Sequence, residues 1–304
     1  MKRLRRSMLF IPGNRPGMLQ NADIFGADSV IFDLEDAVSL REKDSARNLV
    51  KHVLQGMDFG TTERVVRINP LDTPFGVKDL QVMVEASPDA LMIPKATSVS
   101  LKEADRLVTE AEAALKAETS GISFIPIIES ALAVETISEV LQSSQRVVAV
   151  LLGGEDLTAD LGVKRTKAGD ELLYPRSRVA MACCAHGVDA IDTPFADTLD
   201  DEGLEADTLK GKSLGFTGKA AIHPVQIELI HQCYAPTDTE IREAKRIIQA
   251  MKQAELDGKG AVAVDGQMVD APIILRAEKL LQQAKAMGVP GIADTEKGGG
   301  LNVE

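Results

Sequence analysis

Short apolar segments rich in β-branched residues recur eight times along the first three quarters of the chain, and segments with helical periodicity separate them. The segment Val147–Leu152 is apolar at every position, which is typical of parallel strands buried on both faces. Strands that alternate with helices form a parallel sheet, either doubly wound and open or closed into a barrel. Eight βα units in a chain of 304 residues favour a closed (β/α)8 TIM barrel. The predicted strands are Ser7–Ile11, Ser29–Asp33, Arg64–Ile68, Ala90–Pro94, Ser123–Ile128, Val147–Leu152, Val188–Asp192 and Lys219–His223.

The pattern changes after Pro224, and the remaining residues predict a C-terminal extension. Its predicted elements are a helix capped by Thr237 or Thr239 that ends near Leu256 before Gly258–Gly260, a hairpin around Asp265–Gly266, and a helix from Pro272 to Met287. We therefore divide the chain into a barrel of residues 1–234, an extension of residues 235–293 and a flexible tail of residues 294–304. The extension is too short for an independent core, so we expect it to pack on the barrel or on a neighbouring subunit.

The composition excludes several classes of function. Lys and Arg number 34 against 46 Asp and Glu, a net charge of −12, whereas a nucleic-acid-binding protein needs a basic face. No apolar run approaches the ~20 residues of a membrane span. The apolar stretch after the basic N-terminus ends at Pro12, too early for a signal peptide. The three cysteines lack CxxC spacing and agree with a reducing compartment. We therefore predict a cytoplasmic protein that binds neither nucleic acid nor a membrane.

Polar and ionisable residues follow the predicted strands at their carboxyl ends, whereas the strand starts have no comparable series. In a (β/α)8 barrel the catalytic residues lie at this end, where the βα loops begin. A barrel built for stability alone has no need of ionisable groups at so many strand ends. The sequence therefore predicts an active site at the carboxyl rim, with the candidates Asn14, Arg15, Asp33, Glu35, Asp36, Arg67, Asn69, Lys95, Glu129, Ser130, Glu155, Asp156, Asp192, Thr193 and His223.

Glu129 and Asp156 follow the fifth and sixth predicted strands, so adjacent loops bring two carboxylates together. Such a pair suits Mg²⁺, which takes one or two protein carboxylates and keeps several waters. No histidine is near either position in the sequence, which makes zinc or iron a poorer fit. Each carboxylate could instead cap the helix that follows it. Gly153-Gly154, directly before Glu155, would allow a close approach of backbone to a ligand, although a plain turn has the same letters.

Three further groups have alternative interpretations. Arg67, at a strand end among apolar residues, could bind a substrate carboxylate with its planar guanidinium or could pair with Asp33 or Asp36. Lys95 could neutralise an enolate, form a Schiff base or join a structural ion pair. Asp33, Glu35 and Asp36 lie within four residues. They could act as a general base, hold metal-bound waters or simply favour the start of a helix.

Six motifs stand in order along the chain: Arg6–Gly13, Phe32–Val38, Val66–Pro70, Ile93–Lys95, Ile128–Ser130 and Ile222–Gln226. Together they resemble the citrate lyase beta-subunit family of the HpcH/HpaI aldolase superfamily, whose members are magnesium-dependent barrels. The resemblance runs from about Arg6 to Met287. It implies a lyase that cleaves a 3-hydroxy-3-carboxy acyl thioester into a 2-oxo acid and a shorter acyl thioester.

The resemblance also implies roles for individual residues. Glu129 and Asp156 match the family's magnesium ligands, and Arg67 matches the arginine that binds the oxo-acid carboxylate. Asp270 matches an acid that enters the active site from a neighbouring subunit, whereas the sequence pattern alone would have marked it as a helix N-cap. We assign the remaining candidates as follows: Glu35 and Asp36 as acceptors of the hydroxyl proton, and Lys95, Gly154 and Glu155 as substrate-binding residues.

One motif departs from the citrate lyase subunits. The segment Gly153–Gly162 is more similar to stand-alone malyl-CoA and citramalyl-CoA lyases, which favours a CoA ester over an acyl-carrier-protein thioester. Lys2, Arg3, Arg5 and Arg6 could then hold CoA phosphates, or they form only a solvated basic tail. The resemblance suggests a homotrimer or a dimer of trimers. The alternatives are a class II aldolase acting on free hydroxy-oxo acids, a citryl-ACP lyase subunit of a citrate lyase complex, and a non-catalytic metabolite-binding subunit on the same barrel.

Overall fold

The computed structural model describes residues 3–115, 121–256, 262–264 and 267–289. Eight parallel strands pair in chain order, and the eighth pairs with the first, so the sheet closes into a barrel. The predicted (β/α)8 fold is confirmed, and the observed strand ends differ from the predicted ends by no more than two residues. The strands are β1 Ser7–Pro12, β2 Ser29–Asp33, β3 Glu63–Arg67, β4 Ala90–Ile93, β5 Ser123–Ile128, β6 Ala149–Leu152, β7 Asp189–Asp192 and β8 Gly218–Ala221.

Helices follow the strands on the outside of the barrel. The segment Ser130–Gln142 has helical periodicity in the sequence and forms two helices that meet at Thr136, whose hydroxyl donates to the Leu132 carbonyl (2.8 Å). None of the helices in the described part of the chain is long and apolar enough to cross a membrane. The helices are α1 Pro16–Leu19, α2 Lys43–Gly56, α3 Gly76–Ala86, α4 Ser98–Leu115, α5 Ala131–Glu135, α6 Ile137–Gln142, α7 Gly154–Asp160, α8 Leu173–His186, α9 Asp201–Leu214 and α10 Gln226–Tyr234.

The strand residues divide between two apolar cores. Alternate residues such as Met8, Ile31 and Val65 face inward and fill the barrel with side chains. Their neighbours along the strands, such as Val30 and Val66, join the larger core between the sheet and the helices. The barrel interior is therefore packed rather than open, and a ligand site must lie at a rim.

A smaller unit begins at Ala235. The Thr237 hydroxyl accepts a hydrogen bond from the Glu240 N–H, and the Glu240 carboxylate accepts one from the Thr237 N–H, so Thr237 rather than Thr239 caps the first helix. Ile241, Ala277 and Leu281 belong to a small apolar core between the two helices of this unit. Its elements are α11 Asp238–Leu256, β9 Val262–Val264, β10 Gln267–Val269 and α12 Ala271–Ala286. The predicted helix end at 258–260, the hairpin turn at 265–266 and the tail at 294–304 lie outside the described residues.

Arg5 and Arg6 precede β1 and therefore lie at the amino end of the barrel, away from the carboxyl rim. Arg5 donates to Glu63 (2.8 and 2.6 Å) and to Asp189 (2.9 Å), and all three side chains are buried. Arg6 pairs with Asp28 at 2.7 Å. The hypothesis that Arg5 and Arg6 hold CoA phosphates is therefore wrong, because carboxylates already bind both guanidinium groups. Lys2 lies outside the described residues.

The substitution Arg5→Met tests the buried ion cluster at the amino end. It leaves Glu63 and Asp189 buried without this cation, and breaking a buried ion pair from one side costs about 3–5 kcal/mol. Urea denaturation should show a loss of this size in the free energy of unfolding. Arg106→Met is the control and should cost less than about 1 kcal/mol, because Arg106 forms exposed ion pairs within one helix. Equal losses for the two variants would contradict the expectation.

Candidate active site

Arg67 ends β3, and its guanidinium lies at the carboxyl rim among acids from β2 and the loop after it. The sheet register pairs Arg67 with Asp33, which accepts from Nε (2.7 Å) and Nη2 (2.6 Å) in a bidentate contact. The remaining nitrogen, Nη1, has longer contacts, 3.2 Å to Glu35 Oε2 and 3.5 Å to Asp36 Oδ2. The Phe10 ring packs against the guanidinium, with its centroid 5.0 Å from Cζ. Arg67 thus pairs with protein carboxylates, which is one of the two roles predicted for it. Its position is fixed mainly by Asp33.

The loop that follows β2 is held in place by buried polar contacts. The Asp33 carboxylate accepts the N–H groups of Glu35 (2.8 Å) and Ala37 (3.0 Å). The Lys43 ammonium donates to the carbonyls of Leu34 (2.8 Å) and Glu35 (2.6 Å). Lys43 was not among the sequence candidates, because a lysine in the first turn of an amphipathic helix is ordinarily exposed. Its two hydrogen bonds hold the backbone carbonyls on both sides of the Glu35 side chain.

Glu35 is buried, with 7% of its side chain exposed, and lies between Arg67 and Lys95. Burial raises the pKa of Glu35 to about 7, with Asp36 acting in the same direction and Arg67 and Lys95 lowering it. A carboxyl group with a pKa near neutrality can exchange a proton at neutral pH, which is what a general base must do. Asp36 is 67% exposed at the outer edge of the same loop.

Lys95 contributes to the site through its backbone as well as its side chain. It follows β4 with φ of +48°, a left-handed conformation that is uncommon for a residue other than glycine. In this conformation its N–H donates to Glu129 Oε1 at 2.5 Å. The side chain is 60% exposed, and Nζ lies 4.0 Å from Glu35 Oε1. The strain thus orients the Glu129 carboxylate while the ammonium stays at the solvent side of the site.

The turn from β6 into α7 approaches its neighbours very closely. The Gly153 N–H donates to the Ile128 carbonyl (2.9 Å), and a Cβ at Gly153 would lie 2.8 Å from Glu129 Oε2. The Gly154 N–H donates to Thr193 Oγ1 (3.1 Å), and a Cβ at Gly154 would lie 2.7 Å from that oxygen. Gly154 was predicted to bind substrate. Its N–H group does not do so, because it already donates to Thr193 Oγ1. The two glycines serve the close approach of backbone to protein side chains.

The carboxylates of Glu129 and Asp156 lie close enough for their charges to interact. Glu129 is 6% exposed at the end of β5, whereas Asp156 is exposed in the first turn of α7. Burial raises the pKa of Glu129 to about 8, the N–H of Lys95 lowers it, and the nearby carboxylates of Asp156 and Glu35 raise it further. A cation beside the two carboxylates would offset this repulsion.

The donor set is compatible with a small divalent cation that keeps most of its waters. Within the described residues, no group of three or more His, Cys, Asp and Glu side chains is arranged to hold a metal ion. Two carboxylates would therefore leave several coordination positions to water or to a substrate, which is the usual pattern for Mg²⁺ and not for structural zinc.

Two further predicted residues have contacts of their own. Glu155 is exposed, and its Oε1 lies 3.7 Å from Arg165 Nε. Asp270 belongs to the smaller unit, where its side chain accepts the Ile273 N–H (3.2 Å) as the N-cap of α12. The helix-cap interpretation of Asp270 is therefore confirmed. Its entry into the site of a neighbouring subunit stays a prediction, as does substrate binding by Glu155.

Comparisons with known proteins agree with the resemblance found in the sequence. The family model described as HpcH/HpaI aldolase/citrate lyase matches residues 6–224. The citrate lyase subunit beta of Leuconostoc mesenteroides subsp. cremoris is 45% identical, over 94% of this chain and 95% of that protein. An L-malyl-CoA/beta-methylmalyl-CoA lyase of Cereibacter sphaeroides is 36% identical, over 93% of this chain and 95% of that protein. The segment Gly153–Gly162 resembles the stand-alone lyases, but over the whole chain the sequence identity is higher to the citrate lyase subunit.

A solved structure extends the similarity to the three-dimensional fold. The protein CitE of Mycobacterium tuberculosis, in complex with magnesium, acetoacetate and coenzyme A, has a TM-score of 0.78 and 30% sequence identity. The match covers 94% of this chain and all of that chain. The similarity therefore continues beyond the residues that the family model matches.

Glu129 predicts a pH dependence of stability for the metal-free protein. Its pKa is about 8 in the folded chain against an ordinary value of 4.5, so the folded chain binds this proton more tightly than the unfolded chain. The corresponding contribution to the free energy of unfolding is present at low pH and is lost as the pH rises from about 4.5 to about 8. Glu129→Gln keeps an acceptor oxygen for the Lys95 N–H and does not ionise. Relative to this variant, the chelator-treated wild type should lose on the order of 4 kcal/mol over that range in urea titrations. Parallel pH profiles would show that Glu129 does not titrate in this way.

Proposed function

Because the chain belongs to the HpcH/HpaI aldolase/citrate lyase family and is a carbon–carbon lyase of that family, we propose that it cleaves a 3-hydroxy-3-carboxy acyl thioester. The bond between C2 and C3 breaks in a retro-Claisen reaction that gives a 2-oxo acid and a shorter acyl thioester. The carrier of the acyl group in this proposal is coenzyme A, and citramalyl-, malyl- and citryl-CoA belong to this substrate class. The observation that carries the proposal is the cluster of Arg67, Glu35 and Glu129, with Asp156 beside it, at the carboxyl rim of the barrel.

Glu129 and Asp156 are the residues that would hold Mg²⁺. The repulsion between their carboxylates supports this assignment, and the similar CitE structure is a magnesium complex. When bound, the ion would act as a Lewis acid on the substrate oxygens and lower the pKa of the hydroxyl group.

Arg67 would bind the substrate carboxylate. Asp33 holds two of the three guanidinium nitrogens, and Nη1 has only the longer contacts to Glu35 and Asp36. A carboxylate that approaches Nη1 therefore replaces weak contacts and leaves the strong pair intact. Packing on Phe10 fixes the plane of the guanidinium, which favours a directional, charge-assisted hydrogen bond.

Two proton transfers complete the reaction. Glu35 would accept the proton of the substrate hydroxyl, directly or through water, because its pKa of about 7 suits a base at neutral pH. The more exposed Asp36 is the alternative acceptor, and the Lys95 ammonium would attract the anionic substrate. The electron pair of the broken C–C bond leaves with the thioester as an enolate. Asp270 of a neighbouring subunit would then donate a proton to the enolate carbon.

A second candidate differs in the thioester carrier. The citrate lyase subunit beta shares 45% identity with this chain, against 36% for the malyl-CoA lyase. This difference favours a citryl thioester on an acyl carrier protein within a citrate lyase complex. The C–C bond cleavage would be the same, and only the binding of the carrier would differ.

A substrate panel with Mg²⁺ separates these possibilities. The isolated chain is given citryl-, citramalyl- and malyl-CoA, citryl-ACP and a free 4-hydroxy-2-oxo acid, and release of the oxo acid is measured. Cleavage of a CoA ester supports the first proposal, and cleavage of citryl-ACP alone supports the second. Cleavage of the free aldol without any thioester would identify a class II aldolase instead. Binding of Mg²⁺ and an oxo acid without any cleavage would indicate a non-catalytic subunit.

The metal pair predicts the behaviour of Asp156→Asn. Loss of one carboxylate ligand should lower kcat/KM by about 100-fold or more, and excess chelator should have a similar effect on the wild type. Asp160→Asn is the matched control, because Asp160 lies on the same helix and its contact with the Ala131 N–H needs only an acceptor oxygen. Wild-type turnover by Asp156→Asn in the presence of chelator would contradict the proposal.

Asp270→Asn separates catalysis from helix capping. Asparagine caps a helix about as well as aspartate, so the free energy of unfolding should change by less than about 0.5 kcal/mol. The side chain can no longer donate an acidic proton, so kcat should fall by about 10²- to 10⁴-fold. A variant that keeps both its stability and its kcat would show that Asp270 is only a cap.

Mixing two inactive variants tests whether Asp270 acts on a neighbouring subunit. In oligomers of Asp270→Asn and Asp156→Asn chains, about a quarter of the sites would combine an intact barrel with an intact neighbouring Asp270. Co-expression of the two chains should therefore restore about that fraction of the activity. If Asp270 acts within its own chain, no site is complete and no activity returns.

A further inference from the structure

Thr193 directly follows β7 and is fully buried. Its Oγ1 accepts a hydrogen bond from the Gly154 N–H at 3.1 Å. Gly154 is the first residue of α7, and the N–H groups of a first helical turn have no partner within the helix. Thr193 therefore supplies this partner from a neighbouring strand. The bond lies two residues before Asp156 in the same turn.

The turn is held from both sides at very short range. A Cβ at Gly154 would lie 2.7 Å from Thr193 Oγ1, on the β7 side. On the β5 side, the Gly153 N–H donates to the Ile128 carbonyl, and a Cβ at Gly153 would lie 2.5 Å from Glu129 Cβ. Only glycine permits both approaches. The first turn of α7 therefore cannot shift towards either strand, and its hydrogen bonds to both resist movement away.

A buried ionic cluster fixes Thr193 itself. The Lys219 ammonium donates to the Thr193 carbonyl (2.7 Å) and to the carboxylates of Asp207 (2.7 Å) and Asp192 (3.1 Å). Arg176 donates to the same two aspartates at 2.7–2.9 Å. The four charged side chains are at most 3% exposed, and their two positive and two negative charges balance. These ion pairs and the hydrogen bond from Lys219 hold the Thr193 backbone in a defined position.

We propose that Thr193 is a positioning residue for the metal site. Its hydroxyl fixes the start of α7 and thereby sets the Asp156 carboxylate beside Glu129. The inference rests on the proposed function, because it requires Asp156 to be a metal ligand. Loss of a residue that orients a ligand typically weakens metal affinity by about 10- to 100-fold.

Calorimetric titration with Mg²⁺ alone tests this role on the full-length chain. Thr193→Val keeps the shape of the side chain but removes the acceptor, and the Kd for Mg²⁺ should rise at least about tenfold. Thr193→Ser keeps the hydroxyl and should remain within about twofold of the wild type. Thr208→Val is the matched control, because Thr208 is equally buried in the barrel unit but donates to the Leu204 carbonyl within α9. Its Kd should not change.

Asp156→Asn is titrated in parallel, which separates failure of the inference from failure of the proposed function. Weak Mg²⁺ binding by Asp156→Asn together with normal binding by Thr193→Val would overturn the positioning role alone. Normal binding by Asp156→Asn would overturn the metal site and the positioning role with it. If Thr193→Val does not fold, Gly154→Ala disturbs the same contact from the other side. The proposal then requires Gly154→Ala to bind Mg²⁺ at least about tenfold more weakly, and unchanged affinity would overturn it.

Discussion

Pairing of β8 with β1 is the constraint on which the site depends. A closed parallel barrel sends the carboxyl end of every strand to one rim, so residues far apart in sequence become neighbours there. The sheet register then decides which side chains meet. Arg67 has the same inward parity as Val65, whereas Val66 faces the helices. A slip of one residue in β3 would turn the guanidinium into the apolar helix layer and leave Asp33 without its partner.

The features that follow from periodicity could be predicted from the sequence. Eight apolar segments with intervening helical patterns predicted the barrel, and the strand ends predicted that Arg67, Glu35 and Glu129 gather at one rim. Contacts that depend on side-chain direction could not be predicted in this way. Lys95 was expected to act through its ammonium, but its left-handed backbone conformation makes its N–H a partner of Glu129. Asp270 was found only through the family resemblance, since a helix N-cap has the same local sequence.

The paired glycines show why the remaining details need three-dimensional structure. In the sequence, Gly153-Gly154 is compatible with a turn, with a ligand contact, or with both. The structure shows that each glycine faces a particular side chain, Glu129 on one side and Thr193 on the other. The distances involved arise from strands that are separated along the chain by whole βα units. The sequence shows that small residues stand at these two positions, but it does not show which side chains approach them.

The balance of charge distinguishes structural clusters from the candidate site. Behind β7 and β8, two cations meet two aspartates and the buried charges cancel. At the rim, the five carboxylates of the cluster meet three cations, a formal excess of two negative charges. These eight residues are Asp33, Glu35, Asp36, Glu129, Asp156, Arg67, Lys43 and Lys95. Burial makes the excess costly, as the raised pKa values of Glu35 and Glu129 reflect. A divalent cation would lower this cost, so the electrostatics of the rim favour binding of a metal ion before an anionic substrate.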